Sequence, residues 1–295
     1  MADSNFAKGA LFLTASACSF AVMGLFVRLS GPIPFIEKTF FRNLIALLIA
    51  GIALGRQIRR NGLPAILPPK DAAPFLLLRL TAGTAGIFGN FYAIDHLILS
   101  DAALLNKISP FFALLFSFIL LGERLNRTAI ICITAAFAGS LLVIKPGLHF
   151  QSLLPALAGL CGGIGAGLAH ASVRKLRVLG CNGAVIIFLF SAFSLLCAAP
   201  YQILHFAPFT PRQFIFMLGI GAAAAGGQFG MTAAYYNAPA SKISIFDFSQ
   251  IIFSALLGFL FFGQTPDSLS IAGYAVIIAA AAVNLIYNQT VQKNA

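Results

Sequence analysis

Tryptophan is absent from this 295-residue chain, acidic side chains number 8, and charged residues of both signs make up only 9%. A soluble domain of this length carries close to a quarter charged residues, so a soluble class is excluded. Without tryptophan, any belt at a membrane surface falls to tyrosine, with Tyr201, Tyr274 and Tyr287 near segment ends, and 30 phenylalanines supply most of the aromatic bulk. The five cysteines, Cys18, Cys132, Cys161, Cys181 and Cys197, follow no CxxC spacing. They read as small packing residues, not a disulfide frame or a metal site. Enzyme signatures are missing as well: the chain has no HExxH, no phosphate-binding GxxxxGK followed by Ser or Thr, and no acid pair at glycosidase or intramembrane-protease spacing. Lack of the phosphate loop rules out an ATP-driven pump on this chain alone. Uphill transport has to borrow an ion gradient, and no cofactor is implied.

What the chain has is apolar length. Hydrophobic residues make up 59%, and mean hydropathy is +0.92. A spanning helix needs ~20 mostly apolar residues. Candidates lie at 7–28, 35–55, 73–94, 100–121, 127–145, 152–173, 182–203, 211–236, 241–262 and 268–288. The longest connection, Arg56 to Ala72, is too short to fold as a separate soluble domain. The first segment, with Lys8 before it and "TASA" inside it, has features of a cleaved signal peptide. Ala10 to Val27 is nevertheless a full span, and a symmetric count of helices requires it.

A formal net charge of +11 raises the question of nucleic acid, but the placement of the cations points elsewhere. Arg56, Arg59, Arg60, Lys70, Arg124, Arg127, Arg174, Lys175, Arg177 and Lys242 all fall between an even-numbered span and the next. Asp95, Asp101 and Asp267 fall in odd connections. By the positive-inside rule both termini are cytoplasmic and the basic balance is a topology signal, with no nucleic-acid partner expected. The Arg56–Arg60 cluster also suits anionic lipid.

Residues 102–144 recur at 243–285. Phe112 matches Phe253, Leu115 matches Leu256, Phe118 matches Phe259, Gly122 matches Gly263 and Ile130 matches Ile271, each 141 residues later. The turn "LLGERLN" is echoed by "FFGQTPD". Five spans per half is an odd number, so the two halves insert with opposite topology, a plan that places a transport site at the repeat interface. The expected fold is an all-α polytopic membrane protein, ten transmembrane helices as two inverted five-helix repeats, 1–147 and 148–295. Rows of small residues at helix-packing spacing agree: Gly159, Gly163 and Gly167; Ala222, Gly226 and Gly230; Ala82 and Gly86. A dinucleotide-binding reading of "GGIGAG" fails because no strand precedes it and Leu168 takes the last position.

Three stretches resemble the EamA-type members of the drug/metabolite transporter superfamily: "FFRNLIALL" (Phe40–Leu48), "SDAALLNKISPFFALLFSFILLGERL" (Ser100–Leu125) and "AGSLLVIKPG" (Ala138–Gly147). The run from Pro110 to Gly122 and Glu123 is the most specific of these, and the resemblance covers nearly the whole chain. In the second half Ile251 replaces the proline and Gln264 the acid. The resemblance implies a carrier of small organic solutes through a central cavity lined by helices one, three, four, six, eight and nine. It leaves the solute open.

Asp247 is the foremost candidate for chemistry. About six residues into the ninth span, hence ~9 Å from its end, it is too short to reach water and costly unless it is paired, hydrated or protonated. It reads either as a solute-amine or proton site or as a structural partner near a helix start. Asn106 holds the equivalent position in the fourth span, beside Lys107. Pro110 frees the Asn106 carbonyl, which favours a solute-binding step there; Lys107 alternatively extends to the headgroups. Because the two spans start from opposite faces, a direct Lys107–Asp247 bridge is not expected; continuous helices leave ~10 Å between them in a ~30 Å core. The pair instead suits opposite ends of a zwitterion or separate gates. Arg42 and Arg79, one to two turns inside their spans, are read with Pro110 and Glu123 as structural or gating residues. Glu37 and Lys38 are expected to be solvated. Asn90, Tyr92, Gln228 and Tyr235 offer amide and ring surface for a polar-tipped pocket. His170 is either a proton relay with Asp247 or a carbonyl-bonded helix-end residue.

These residues point to an inner-membrane carrier working by alternating access on amino acids or related amines, in the outward direction, as a monomer or homodimer in the lipid bilayer. The alternatives are uptake of a larger metabolite such as a nucleotide, a riboflavin-like ring or S-adenosylmethionine, and a membrane assembly or receptor-like subunit without flux.

Overall fold

The computed structural model describes residues 5–62, 67–96, 105–123, 126–144, 153–205 and 208–293, so Asp101 and Arg124, used above for topology, lie outside the described residues. Ten helices account for the bulk of the chain: α1 (Asn5–Leu29), α2 (Phe35–Asn61), α3 (Ala73–His96), α4 (Ser109–Leu121), α5 (Arg127–Ile144), α6 (Leu153–Val178), α7 (Gly183–Leu204), α8 (Pro211–Asn237), α9 (Ser249–Phe262) and α10 (Ser268–Lys293). Among the described residues nine helical stretches, one of them α9 with its lead-in, are long and apolar enough to cross a membrane; α4 has 13 residues. Their starts follow local chemistry. Thr210 and Gln213 form a reciprocal capping box ahead of Pro211 at α8, and the Asn182 side chain accepts from the Ala184 N–H at 2.9 Å to open α7.

The packing pattern repeats when the halves are exchanged. The first helix of each half runs along the third of the other, α1 on α8 and α6 on α3. The second helices face each other, as do the fifth. The fourth helices complete the scheme, α4 against α6 and α9 against α1. Since each half has five helices, these relations describe two inverted repeats. The outer surface is apolar, with Leu196, Ile203 and Leu204 at least 70% exposed, as a lipid-facing shell demands.

Small residues set how closely these helices approach. A methyl group on Gly163 would stand 2.4 Å from the Leu105 carbonyl oxygen, and one on Gly167 2.8 Å from that of Ser109. The glycine row of α6 thus seats the start of α4 with backbone against backbone.

Two expectations change. Arg56, Arg59 and Arg60 lie on the last turns of α2, because the helix continues to Asn61 and capping by Gly62 ends it. Glu37 is fully buried, since the first turn of α2 is packed inside the bundle and not at its rim, while Lys38 donates to the Gly31 carbonyl at 3.0 Å.

Candidate functional site

Both fourth helices of the repeats are broken at their starts. Before α4, Leu105 and Asn106 are helical, Lys107 and Ile108 form a turn, and Pro110 stands in the first turn of the helix that follows. Before α9, a helical turn at Ala240–Ile243 leads into a 3-10 segment, Ser244–Phe248. The expected kink at Pro110 is therefore a helix start, where a missing N–H leaves no bond unmade. Each helix ends on a left-handed glycine, Gly122 at φ 68° and Gly263 at φ 62°.

These breaks bring Lys107 and Asp247 together. The Lys107 ammonium donates to Asp247 Oδ2 at 3.0 Å, to the Asp247 backbone carbonyl at 3.1 Å and to Gln250 Oε1 at 2.8 Å. All three of its protons are used. Both side chains are buried, at 5% exposure each. The separation expected for continuous helices is corrected here. A 3-10 segment rises ~2.0 Å per residue against 1.5 Å for an α-helix, and so reaches deeper for its length. Lysine's four-carbon stem closes the remaining gap.

Around this pair lies a row of polar side chains from other helices. His170 of α6 stacks on Tyr235 of α8, with centroids 4.9 Å apart and planes 13° from parallel. Tyr235 Oη lies 3.2 Å from Ser244 Oγ in the 3-10 segment. The His170 ring is within electrostatic reach of Arg79, Asp247 and Lys107. Among the described residues His170 bonds no carbonyl, and its buried Nδ1 has no partner. Arg79 of α3 rests its guanidinium 4.0 Å from the Phe190 centroid on α7, and Arg42 of α2 donates to Asn43 Oδ1 at 3.3 Å. Among the described residues neither arginine caps a neighbouring helix.

Other candidates are placed elsewhere. Gln228 is buried and donates to Thr232 on its own helix at 3.4 Å. Asn106 is half-buried at the turn before α4. Asn90 packs its backbone near Gly162. Tyr92 stacks on exposed His96 at the end of α3, 4.1 Å between centroids. Gln250 and Ser244 were missed; each lies three residues from Asp247, a spacing that shares a helical face and was the available signal.

The two ends of the bundle carry related latches. On the face bearing the connections after even-numbered helices, Arg174 near the end of α6 pairs with Glu123 at 3.0 Å. Arg177 sits over the Tyr236 ring at 4.3 Å, and Tyr236 Oη donates to the Cys181 carbonyl at 2.9 Å. A cavity of ≈ 310 Å³ opens here among Phe6, Arg174, Arg177, Tyr236, Asn237 and Lys242. On the opposite face Arg28, near the end of α1, donates to Gln264 at 2.8 and 3.1 Å, with the amide oxygen turned toward the guanidinium. Glu123 and Gln264 are repeat equivalents. The same contact is ionic at one end and neutral at the other.

The model of the EamA-like transporter family matches residues 7–145 and again residues 152–286. The chain is similar to the pseudopaline exporter CntI of Pseudomonas aeruginosa (strain UCBPP-PA14), at 32% identity over 282 residues, 92% of this chain and 94% of that protein. It is also similar to human solute carrier family 35 member G1, at 24% identity over 92% of this chain and 77% of that one. A solved crystal structure shares the fold with a TM-score of 0.82, at 16% identity over 97% of this chain and 99% of the other. The doubled match, the ten helices and the transporter relatives agree, and the chain belongs to the EamA-like transporter family, a multi-pass membrane transporter of the drug/metabolite superfamily type.

Proposed function

We propose that this carrier exports small amine-bearing metabolites, amino acids and their relatives, across the inner membrane by alternating access. Halves 1–147 and 148–295 rock about the Lys107–Asp247 pair, and both termini are cytoplasmic. The observation that supports this reading best is the buried ion pair at equivalent breaks of the two repeats. An uncompensated buried charge costs several kcal/mol, so a carrier holding an acid and a base needs them paired whenever it is empty. A zwitterion entering between them gives its ammonium to Asp247 and its carboxylate to Lys107, replacing one ion pair with two. Its departure lets the side chains rejoin. Charge stays compensated in both states, and the empty carrier can reset.

Asn106 and Gln250 border this exchange, and Tyr235, held by His170 and Ser244, supplies a ring wall. Tyr92, Asn90 and Gln228 line the route. Pro110 fixes the start of α4, Glu123 latches one face, and Asp247 with His170 couples flux to protons. The outward direction is supported by the similarity to an exporter. Right-side-out and inside-out vesicles given labelled amino acids and polyamines test the reading. Saturable uptake in inside-out vesicles, driven by a pH gradient, is expected; absence of exchange with every amino acid and amine in both orientations would overturn it.

A further inference from the structure

Three cations, Arg42, Arg79 and Lys107, are buried among the described residues against two acids, Glu37 and Asp247. Lys107 takes Asp247 as its partner. Neither Arg42 nor Arg79 reaches a carboxylate among the described residues, although they are 6% and 3% exposed. Arg79 has only the Phe190 ring for company, and Arg42 makes one hydrogen bond, to its neighbour Asn43. Arg42 Nε, Arg79 Nε and Asn43 Nδ2 are buried donors with no acceptor among the described residues. The two guanidiniums lie close enough to repel each other. Arginine cannot relieve such a position by losing its proton. Unmet buried donors of this kind call for a group that only accepts: an anion, read by the planar guanidinium fork.

Placement connects this cluster to the ion pair. Arg79 and both members of the Lys107–Asp247 pair lie within electrostatic reach of the His170 ring. A methyl group on Gly83 would meet Arg79 Nη1 at 2.4 Å and Phe190 at 2.7 Å. The guanidinium therefore packs against its own helix beside the Phe190 ring.

We propose that Arg42, Arg79 and the Asn43 amide form a second, carboxylate-binding subsite, and that the preferred solute is an amine bearing at least two carboxylates. The inference rests on the zwitterion reading above and extends it: one ammonium meets Asp247, one carboxylate meets Lys107 and a further carboxylate bridges the arginines.

Purified full-length chain in detergent micelles is titrated calorimetrically with alanine, glutamate and glutarate at matched ionic strength. Wild type should bind glutamate at least ~10-fold tighter than alanine, the value of an added charge-assisted hydrogen bond. Arg79→Gln and Arg42→Gln should each erase that preference, read as the ratio of glutamate to alanine affinity. Phe190→Leu, which removes the ring but no donor, should keep it. Should the glutamine variants fail to fold, Arg79→Lys keeps the charge and loses the fork, and its selectivity should fall by a similar factor. An unchanged glutamate-to-alanine ratio in the arginine variants, or a wild type that binds neither glutamate nor glutarate, overturns the subsite. Arg79-dependent binding of glutarate without binding of alanine upholds the subsite and removes the amine reading instead.

Discussion

Replacing Asp247 by asparagine keeps the shape of the side chain and an oxygen that can still accept from Lys107, but it removes the charge. At 3.0 Å and an effective dielectric near 20, the lost attraction is roughly 5.5 kcal/mol. Release of the carboxylate from its own desolvation returns part of this, and buried pairs broken on one side lose about 3–5 kcal/mol in practice. Asp247→Asn should therefore destabilise the folded carrier by about 3–5 kcal/mol, and Lys107→Met by a similar amount. The double variant leaves no uncompensated charge and should be at least ~2 kcal/mol more stable than the sum of the singles predicts. Unfolding by SDS in mixed micelles, followed by helical circular dichroism, measures all four proteins. Additivity within ~0.5 kcal/mol, or a loss below ~1 kcal/mol in Asp247→Asn, the size found for exposed pairs, would refute the view that the two charges compensate each other inside the bundle.

Other consequences follow from the same geometry. Gln264→Glu gives the exposed Arg28 latch an ionic partner and should favour closure of that face by ~0.2–1 kcal/mol, read as a shift in spin-label distances across the mouth. Gly163→Ala drives a methyl group into the Leu105 carbonyl and should cost about 1–3 kcal/mol in SDS unfolding. Gly24→Ala, with nothing within 4 Å, should stabilise by up to ~1 kcal/mol in the same assay. Tyr235→Phe loses the Ser244 contact but keeps the His170 stack, and should cost about 0.5–1.5 kcal/mol of stability.

Much of the fold was legible because apolar length is a direct demand of the bilayer. Ten segments appear as ten helices, and the echo of Gly122 in Gly263 marks two equivalent left-handed helix ends. The site was harder to read. Lys107 and Asp247 are each visible as costly residues in apolar runs, but their meeting depends on backbone that leaves the α-helical rise at Lys107–Ile108 and Ser244–Phe248. Residue counting at 1.5 Å per step cannot show that. Pro110 signalled the first break, though as a kink and not a helix start; the second break has no proline to announce it. The arginines illustrate a different limit. Carbonyl caps and snorkelling are the common fates of such residues, and the Phe190 ring that holds Arg79 comes from a helix more than a hundred residues away. Glu37 lies in the first turn of its helix, and only the packing around that turn reveals its burial.

In the proposed cycle, solute charges change places with the Lys107–Asp247 pair. Counterflow in proteoliposomes tests this most directly, with wild type and Asp247→Asn reconstituted at equal density, preloaded with unlabelled amino acids and offered labelled ones. The wild type should exchange saturably, and Asp247→Asn should lose at least ~10-fold in rate while still eluting as a folded monodisperse carrier. Exchange by Asp247→Asn at the wild-type rate would contradict the account.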